Sequence, residues 1–198
     1  MGIQFWFSIG STYTYLTVTR LPAIEQATGI EFEWNPFSIR AIMMEQNNIP
    51  FRDKPVKTAH MWRDIERRAQ KYGFKARVPA PYPLEQFDLA NRVAVYAKSQ
   101  GWMKDYVTVT YRKWFQDGMP AGSEPNLSET LKEIGQNSQK VIEAANSADV
   151  EADYLELTDR ARSLGVFGVP AFIANDELFW GDDRVEDAIS WHRNGRVV

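Results

Sequence analysis

Alternating hydrophobic and polar positions near the start of the chain predict two strands with a helix between them. The first alternation covers residues 3–9 and the second covers residues 30–34. Between them, apolar residues recur at helical spacing up to Gly29, with Pro22 inside the helix, where it should produce a kink. A strand–helix–strand unit of this length allows a right-handed parallel crossover.

The middle of the chain, residues 37–165, has helical spacing and no convincing strand pattern. Asn126 stands where a capping residue is expected before a helix. The predicted helices cover residues 57–72, 87–100, 104–116, 127–134, 141–145 and 148–164.

Strand patterns return near the end, at residues 171–174 and 177–180, with Asn175-Asp176 as a hairpin turn and a helix over residues 185–191. Strands at both ends with helices between them predict an α/β fold with one sheet. We expect residues 1–36 plus 166–198 to form the sheet-containing domain, and residues 37–165 to form an all-helical insertion.

Composition excludes several kinds of chemistry. The 198-residue chain has no cysteine, so it cannot carry out disulfide exchange or bind metal through thiolates. A net charge of −3 argues against nucleic-acid binding through an overall basic field. His60 and His192 are too far apart for a metal motif, so no metal is expected. We find no targeting segment and no run long enough to span a membrane, and expect a cytoplasmic protein without membrane contact.

Ser11 is the first candidate for chemistry, because it lies between a predicted strand and the start of a helix. A helix N-terminus offers unpaired N–H groups and a positive dipole end, which stabilise an anion such as a thiolate. Ser11 or Thr12 is equally suited to cap the helix, and the two roles are compatible.

Two further segments near the C-terminus are candidates. Pro170 starts a strand either as an ordinary trans proline or as a cis proline that exposes the Val169 backbone to an extended ligand. Asp182 and Asp183 offer a carboxylate for a ligand's ammonium group. Alternatively, Asp183 and Glu186 have the spacing of a helix capping box.

These three signals together resemble the motifs of one family over essentially the whole chain. Residues 7–16 (FSIGSTYTYL), 167–172 (FGVPAF) and 179–184 (FWGDDR) resemble motifs of 2-hydroxychromene-2-carboxylate isomerases and kappa-class glutathione transferases. Residues 62–69 resemble their insertion helix. The resemblance implies a thioredoxin-like fold of the DsbA branch with a large helical insertion.

The resemblance also implies how glutathione is bound as a cofactor. Ser11, flanked by Gly10 and Thr12, would donate its hydroxyl to the glutathione sulfur and stabilise the thiolate. Val169, before a cis Pro170, would bind the cysteinyl backbone. Thr12 departs from the family pattern, in which a proline follows the serine.

The other end of glutathione would meet charged residues. Asp183 would hold the γ-glutamyl ammonium, with Asp182 adjacent, and Lys57 would meet a carboxylate. Relatives often have Asn or Ser at the position of Asp182. Its negative charge here would lie near the γ-glutamyl carboxylate and would require a compensating cation such as Arg184.

The implied function is glutathione-dependent cis–trans isomerisation of a 2-hydroxychromene-2-carboxylate type intermediate of aromatic degradation. Glutathione thiolate would add to an unsaturated pyruvate side chain, allow rotation, and leave. Candidates to bind this small anionic substrate are Lys54, Lys57, Arg63 and Arg67, although interleaved acids favour a solvated helix face for most of them. The alternatives are a kappa-like glutathione transferase or peroxidase, and a non-catalytic thioredoxin-fold binding module. Because relatives are usually dimers, we expect a homodimer.

Overall fold

The structure is a computed structural model and describes residues 2–198. The elements, in chain order, are β1 (Ile3–Phe7), α1 (Thr12–Thr28), β2 (Phe32–Pro36), α2 (Ile39–Glu45), α3 (Pro55–Lys71), α4 (Phe87–Gln100), α5 (Met103–Arg112), a π-helical turn (Lys113–Asp117), α6 (Asn126–Glu133), α7 (Ser138–Ala145), α8 (Ala148–Ser163), β3 (Ala171–Ala174), β4 (Glu177–Trp180), a 3₁₀ turn (Asp182–Arg184) and α9 (Val185–Asn194).

The four strands form one mixed sheet in the order β2-β1-β3-β4. β1 and β2 are parallel, with Phe5 opposite Trp34, while β1 pairs antiparallel with β3 and places Phe5 opposite Phe172. The stacked rings of Phe5 and Phe172 lie 5.4 Å apart at their centroids. β1 is therefore one of the two inner strands of the sheet, and its C-terminal end leads directly into residues 8–11 and α1.

The hairpin at the C-terminus follows the predicted pattern. Asn175 and Asp176 have φ values of 49° and 68°, which a two-residue hairpin turn of this kind requires and which Asn and Asp tolerate. The predicted bounds of α4, β3 and β4 are confirmed. The strand predicted at residues 30–34 is displaced by two residues and runs over Phe32–Pro36.

In the helical region one helix has no counterpart among the predictions and one local prediction is wrong. No helix was predicted at residues 39–45, where Ser38 caps the short α2 by accepting a hydrogen bond from the Ala41 N–H. Asn126 is not a cap: it is buried and its amide donates to the carbonyls of Thr110 and Met119. Tertiary hydrogen bonds thus use the Asn126 side chain that local pattern assigned to the helix start.

The helices between β2 and β3 share the core of the sheet. α4 and α8 pack against β2, and one continuous cluster of buried side chains includes both strand and helix residues. The division into a sheet domain and a helical insertion stays a prediction. Over residues 2–198, none of the helices combines the length and apolar character needed to cross a bilayer.

Candidate functional site

Ser11 sits at the point where β1 is connected to α1, as its position in the sequence predicts. It is the N-cap of α1, with extended backbone, and its Oγ accepts a hydrogen bond from the Thr14 N–H at 3.3 Å. The same Oγ donates to the Val169 carbonyl oxygen at 3.2 Å. The hydroxyl is partly exposed. Ser11 therefore caps the helix while its hydroxyl donates a hydrogen bond to a second segment of the chain, at Val169.

Residues 8–11, which carry Ser11, are fastened by two buried side chains from the helical region. Asn91 of α4 accepts from the Ile9 N–H at 2.7 Å and donates to the Ile9 carbonyl at 2.9 Å. The Tyr111 hydroxyl of α5 lies 3.0 Å from the Ser8 carbonyl and 3.1 Å from the Ser11 carbonyl. The backbone around Ser11 is thereby held without belonging to a regular element.

Gly10 has a structural reason to be glycine. Its φ is +130°, and a Cβ at this position would lie 2.5 Å from the Phe87 ring. The hydroxyl of the next candidate, Thr12, is buried and lies 3.1 Å from the Met61 sulfur of α3. The Thr12 side chain thus links α1 to α3, and what it can offer a ligand is a backbone N–H at the helix start.

Val169 and Pro170 lie directly beside Ser11. The peptide bond between them is cis, as the family resemblance implies and in contrast to the ordinary trans alternative. The Val169 carbonyl accepts from Ser11, whereas its N–H has no acceptor among residues 2–198. We call Ser11 and Val169 together the serine end of the site.

The second group, which we call the acidic end, consists of Arg68, Asp182 and Asp183. Asp182 is only 1% exposed, and its Oδ2 lies 2.9 Å from Nη2 of Arg68. Nη1 of Arg68 lies 3.6 Å from Oδ2 of Asp183, whose side chain is 48% exposed. The two neighbouring carboxylates therefore share one guanidinium but differ sharply in their access to solvent.

Burial dominates the ionisation of Asp182. It raises the pKa of this carboxyl from 3.8 to about 6, and the Asp183 charge acts in the same direction, although Arg68 and Arg20 oppose both. Burial also acts to lower the pKa of Arg68, but Asp182 and Tyr72 outweigh it and the net direction is upward. At neutral pH the pair is therefore mainly ionised.

Two expectations about this segment are corrected. The cation that compensates Asp182 is Arg68, because Arg184 lies against Asp183, at 4.0 Å, and Asp187, at 3.3 Å, instead. The capping box of Asp183 and Glu186 does not form: Asp183 lies in the 3₁₀ turn, and α9 begins without a side-chain cap.

Lys57 lies apart from both ends of the site. It is exposed in the first turn of α3, with its Nζ 5.6 Å from the Phe51 ring centre, and it makes no hydrogen bond or ion pair to another candidate within residues 2–198. Arg63 and Arg67 are also exposed and pair with Glu66 and Asp64 of the same helix. Arg63 and Arg67 are therefore solvated, and their charges are matched by acids of the same helix.

The face of α3 that carries Met61, Asp64 and Arg68 connects the two ends of the site. Besides the Thr12–Met61 contact, the Tyr13 hydroxyl donates to Asp64 at 3.1 Å, and Arg68 follows one turn later. Sequence reasoning missed Arg68, although the spacing of residues 57, 61, 64 and 68 marks one helix face. It also missed Asn91 and Tyr111, for which the sequence carries no local signal.

Comparison with known proteins assigns the fold family. A family model described as DSBA-like thioredoxin domain matches residues 2–189. The chain belongs to this family. Its thioredoxin-like DsbA fold and the resemblance described above are thereby confirmed.

Relatives of the chain are named as an isomerase and as a glutathione transferase. It is 27% identical over 186 residues to a 2-hydroxychromene-2-carboxylate isomerase from Sphingobium xenophagum, covering 93% of this chain and 94% of the relative. It is 22% identical to glutathione S-transferase kappa 1 from Caenorhabditis elegans, covering 92% and 86%.

Solved structures agree with the family. A 2-hydroxychromene-2-carboxylate isomerase superposes with a TM-score of 0.83 at 26% identity, over 93% of this chain and 91% of the other. The cytosolic disulfide reductase DsbM from Pseudomonas aeruginosa, solved with GSH, has a TM-score of 0.63 at 14% identity, over 98% of each chain, and shows the shared fold alone.

Proposed function

We propose that this protein is a glutathione-dependent cis–trans isomerase acting on a 2-hydroxychromene-2-carboxylate type substrate. One observation carries the proposal: a partly exposed Ser11 hydroxyl stands at the N-terminus of α1, 3.2 Å from the Val169 carbonyl. The isomerase relatives, which match more than nine-tenths of the chain, support the choice of reaction.

The residues present fit glutathione. The unpaired N–H of Val169 is a donor for a peptide carbonyl, Ser11 offers a hydroxyl beside it, and the exposed Asp183 carboxylate suits an ammonium group. Lys57 is proposed to meet a carboxylate of the bound molecule. When bound, glutathione supplies a thiolate that adds reversibly to the unsaturated side chain of the substrate, so that a double bond can rotate.

The chain's own residues have two tasks in this chemistry. Ser11 turns its proton from the Val169 carbonyl toward the sulfur, so that a thiolate gains a hydrogen bond. The start of α1 adds its positive dipole end, and such positions lower a thiol pKa from about 8.5 by a unit or more. The protein needs no cysteine for this work, because the thiol belongs to the cofactor.

The test compares two serine variants by titration calorimetry with reduced glutathione. Ser11→Ala removes a cap and a candidate sulfur ligand, whereas Ser147→Ala removes only a cap, since Ser147 accepts from the Val150 N–H at the same 3.3 Å. Each should lose about 1 kcal/mol of stability. Only Ser11→Ala should lose the thiolate absorbance of the bound cofactor and isomerase activity.

The proposal is contradicted if the wild-type protein does not bind glutathione up to about 10 mM, which corresponds to a binding free energy weaker than roughly −3 kcal/mol. That result favours a non-catalytic thioredoxin-fold binding module. Equal behaviour of the two variants contradicts the role of Ser11. The proposal includes a homodimer in the cytoplasm, which gel filtration and localisation of a tagged protein will test.

The kappa-transferase relative supports a second candidate reaction, conjugation or peroxide reduction at the same site. Product analysis separates the two. Isomerisation regenerates glutathione, so its concentration stays constant during turnover, whereas conjugation and peroxide reduction consume it in proportion to the product formed.

A further inference from the structure

Three of the four cations that the sequence offers for an anionic substrate have partners close by in the chain. Lys54 donates to a main-chain carbonyl at 3.2 Å, and Arg63 and Arg67 pair with acids of α3. Lys57, the fourth, is proposed above to meet glutathione. A substrate carboxylate beside Ser11 therefore needs a cation from another part of the chain.

Arg40, the second residue of α2, is a partly buried cation without a carboxylate partner. Its guanidinium carbon lies 4.1 Å from the centre of the Phe87 ring, and its Nη2 donates to the Leu84 carbonyl at 3.2 Å. Among residues 2–198, no carboxylate lies within ion-pair distance of this guanidinium. A guanidinium has five N–H donors, so most of those of Arg40 stay available to a ligand.

The Phe87 ring explains how this unpaired charge can be partly buried. Taking a charge out of water costs free energy unless something compensates it, and Arg20 and Arg68 are compensated by carboxylates. The face of an aromatic ring attracts the guanidinium of Arg40 instead. Stacking of this kind leaves the N–H groups at the edge of the planar guanidinium free to form hydrogen bonds.

The residues that hold Arg40 also place it beside the serine end of the site. A Cβ on Gly10, the residue before Ser11, would lie 2.5 Å from the Phe87 ring and 3.9 Å from the Leu84 side chain. The same two residues therefore contact Arg40 on α2 and pack against the main chain next to Ser11. A single aromatic ring separates the guanidinium from this main chain.

We propose that Arg40 binds the carboxylate of the substrate and thereby selects an anionic side chain for isomerisation. The inference rests on the proposed function and adds a specificity-determining residue to it. In an aryl-substituted unsaturated pyruvate, three carbon–carbon bonds, about 4 Å, separate the carbon that a thiolate attacks from the carboxylate. With the sulfur at Ser11, the carboxylate comes within reach of a guanidinium that lies one ring away from Gly10. The planar guanidinium can bind it through two parallel hydrogen bonds.

The experiment measures, by calorimetry on protein saturated with glutathione, the binding of 4-phenylbutanoate and of its neutral amide, 4-phenylbutanamide. Both keep the spacing between the aromatic ring and the acid group, and neither has a double bond to which a thiol adds. The variants are Arg40→Gln, which removes the charge, and Arg40→Lys, which keeps it. Arg92→Gln is the control, because Arg92 is also partly buried, forms no ion pair within residues 2–198 and donates to Asn146 at 2.8 Å.

Wild type and Arg92→Gln should bind the carboxylate more tightly than the amide by about tenfold to hundredfold, and Arg40→Gln by less than about twofold. Arg40→Lys should keep an intermediate preference, because it restores the charge without the planar pair of donors. An unchanged preference in Arg40→Gln overturns this inference alone, and so does a wild type that binds neither probe or both equally. A wild type that does not bind glutathione overturns the proposed function as well.

Discussion

The two ends of the candidate site are built in different ways. At the serine end, buried side chains and main-chain atoms do the positioning: Asn91 and Tyr111 hold residues 8–11, and the Val169 carbonyl accepts a hydrogen bond from Ser11. At the acidic end, long charged side chains do it, and Arg68 is held by two carboxylates. The first arrangement is set by directional hydrogen bonds and the second by charge balance.

This difference separates what each end can tolerate. Removing one partner of a buried hydrogen bond costs much stability, because the other partner is left in the interior without a water molecule or another group to bond. The stability of a charge network depends instead on pH and on the removal of any one of its charged groups. Substitutions at the serine end should therefore destabilise the protein by breaking directed hydrogen bonds, and substitutions at the acidic end should do so by changing its charge balance. Three substitutions test this difference.

The largest effect is expected at Asn91, which is fully buried. Asn91→Ala leaves the Ile9 N–H and carbonyl unpaired and should reduce the free energy of unfolding by about 4 kcal/mol. Urea unfolding measures it. Asn146→Ala is the control. The amides of Asn91 and Asn146 each donate to the carbonyl four residues earlier, that of Phe87 and that of Ile142, but Asn146 is exposed and the loss should stay below about 1 kcal/mol. Equal losses would show that residues 8–11 do not depend on Asn91.

A smaller effect with a defined pH dependence is expected at Asp182. Its pKa, raised by burial to about 6, means that the folded state holds the proton more tightly than the unfolded state does. The carboxyl therefore lowers stability progressively as pH rises from about 4 to about 6, and this cost is absent below that range. Facing it are Arg68 and Asp64 of α3, Arg20 of α1, and Asp183.

The measurement is the stability of Asp182→Asn relative to wild type at several pH values. The difference should shift in favour of the variant by about 3 kcal/mol between pH 4 and pH 7. Asp153→Asn on the exposed face of α8 serves as the control for the removal of a surface carboxylate. A flat curve for Asp182→Asn would mean that Arg68 fully compensates its burial.

The smallest effect on stability is expected at Tyr111, where a matched pair of variants tests whether this residue positions residues 8–11 or only packs in the core. Tyr111→Phe and Tyr106→Phe each remove a buried hydroxyl of α5 that contacts main-chain carbonyls, near Ser8 and Ser11 for Tyr111 and at Ala90 for Tyr106. Both should cost about 1 kcal/mol. Only Tyr111→Phe should also weaken glutathione binding. Parallel changes in both variants would assign Tyr111 to packing alone.

Sequence reasoning reached the parts of this molecule that local pattern determines. The start of the first strand at Ile3, the Asn175-Asp176 turn and the helix ending at Gly101 depend on neighbours in the chain and are confirmed, whereas the first strand, predicted over residues 3–9, ends at Phe7. Ser11 and Val169 were placed together by family motifs. The structure shows the contact between them as a hydrogen bond.

The remaining features depend on contacts between distant segments. Asn126 looks like a helix cap until the Thr110 and Met119 carbonyls reach its amide. Arg68 is one of several charges on a charged helix, and its partner Asp182 lies more than one hundred residues away. No local rule distinguishes Arg68 from Arg67, because only the packing of α3 against α1 decides which of them is turned inward.

The fastening of residues 8–11 has a consequence for how new specificity can be engineered in this scaffold. α4 and α5 hold the main chain beside Ser11, so exchanging them for foreign helices would displace Ser11 itself. α3 contacts this end through the side chains of Met61 and Asp64. Grafting of residues 55–65 from a relative should therefore change the surroundings of Ser11 while leaving intact the hydrogen bonds from α4 and α5 that hold it.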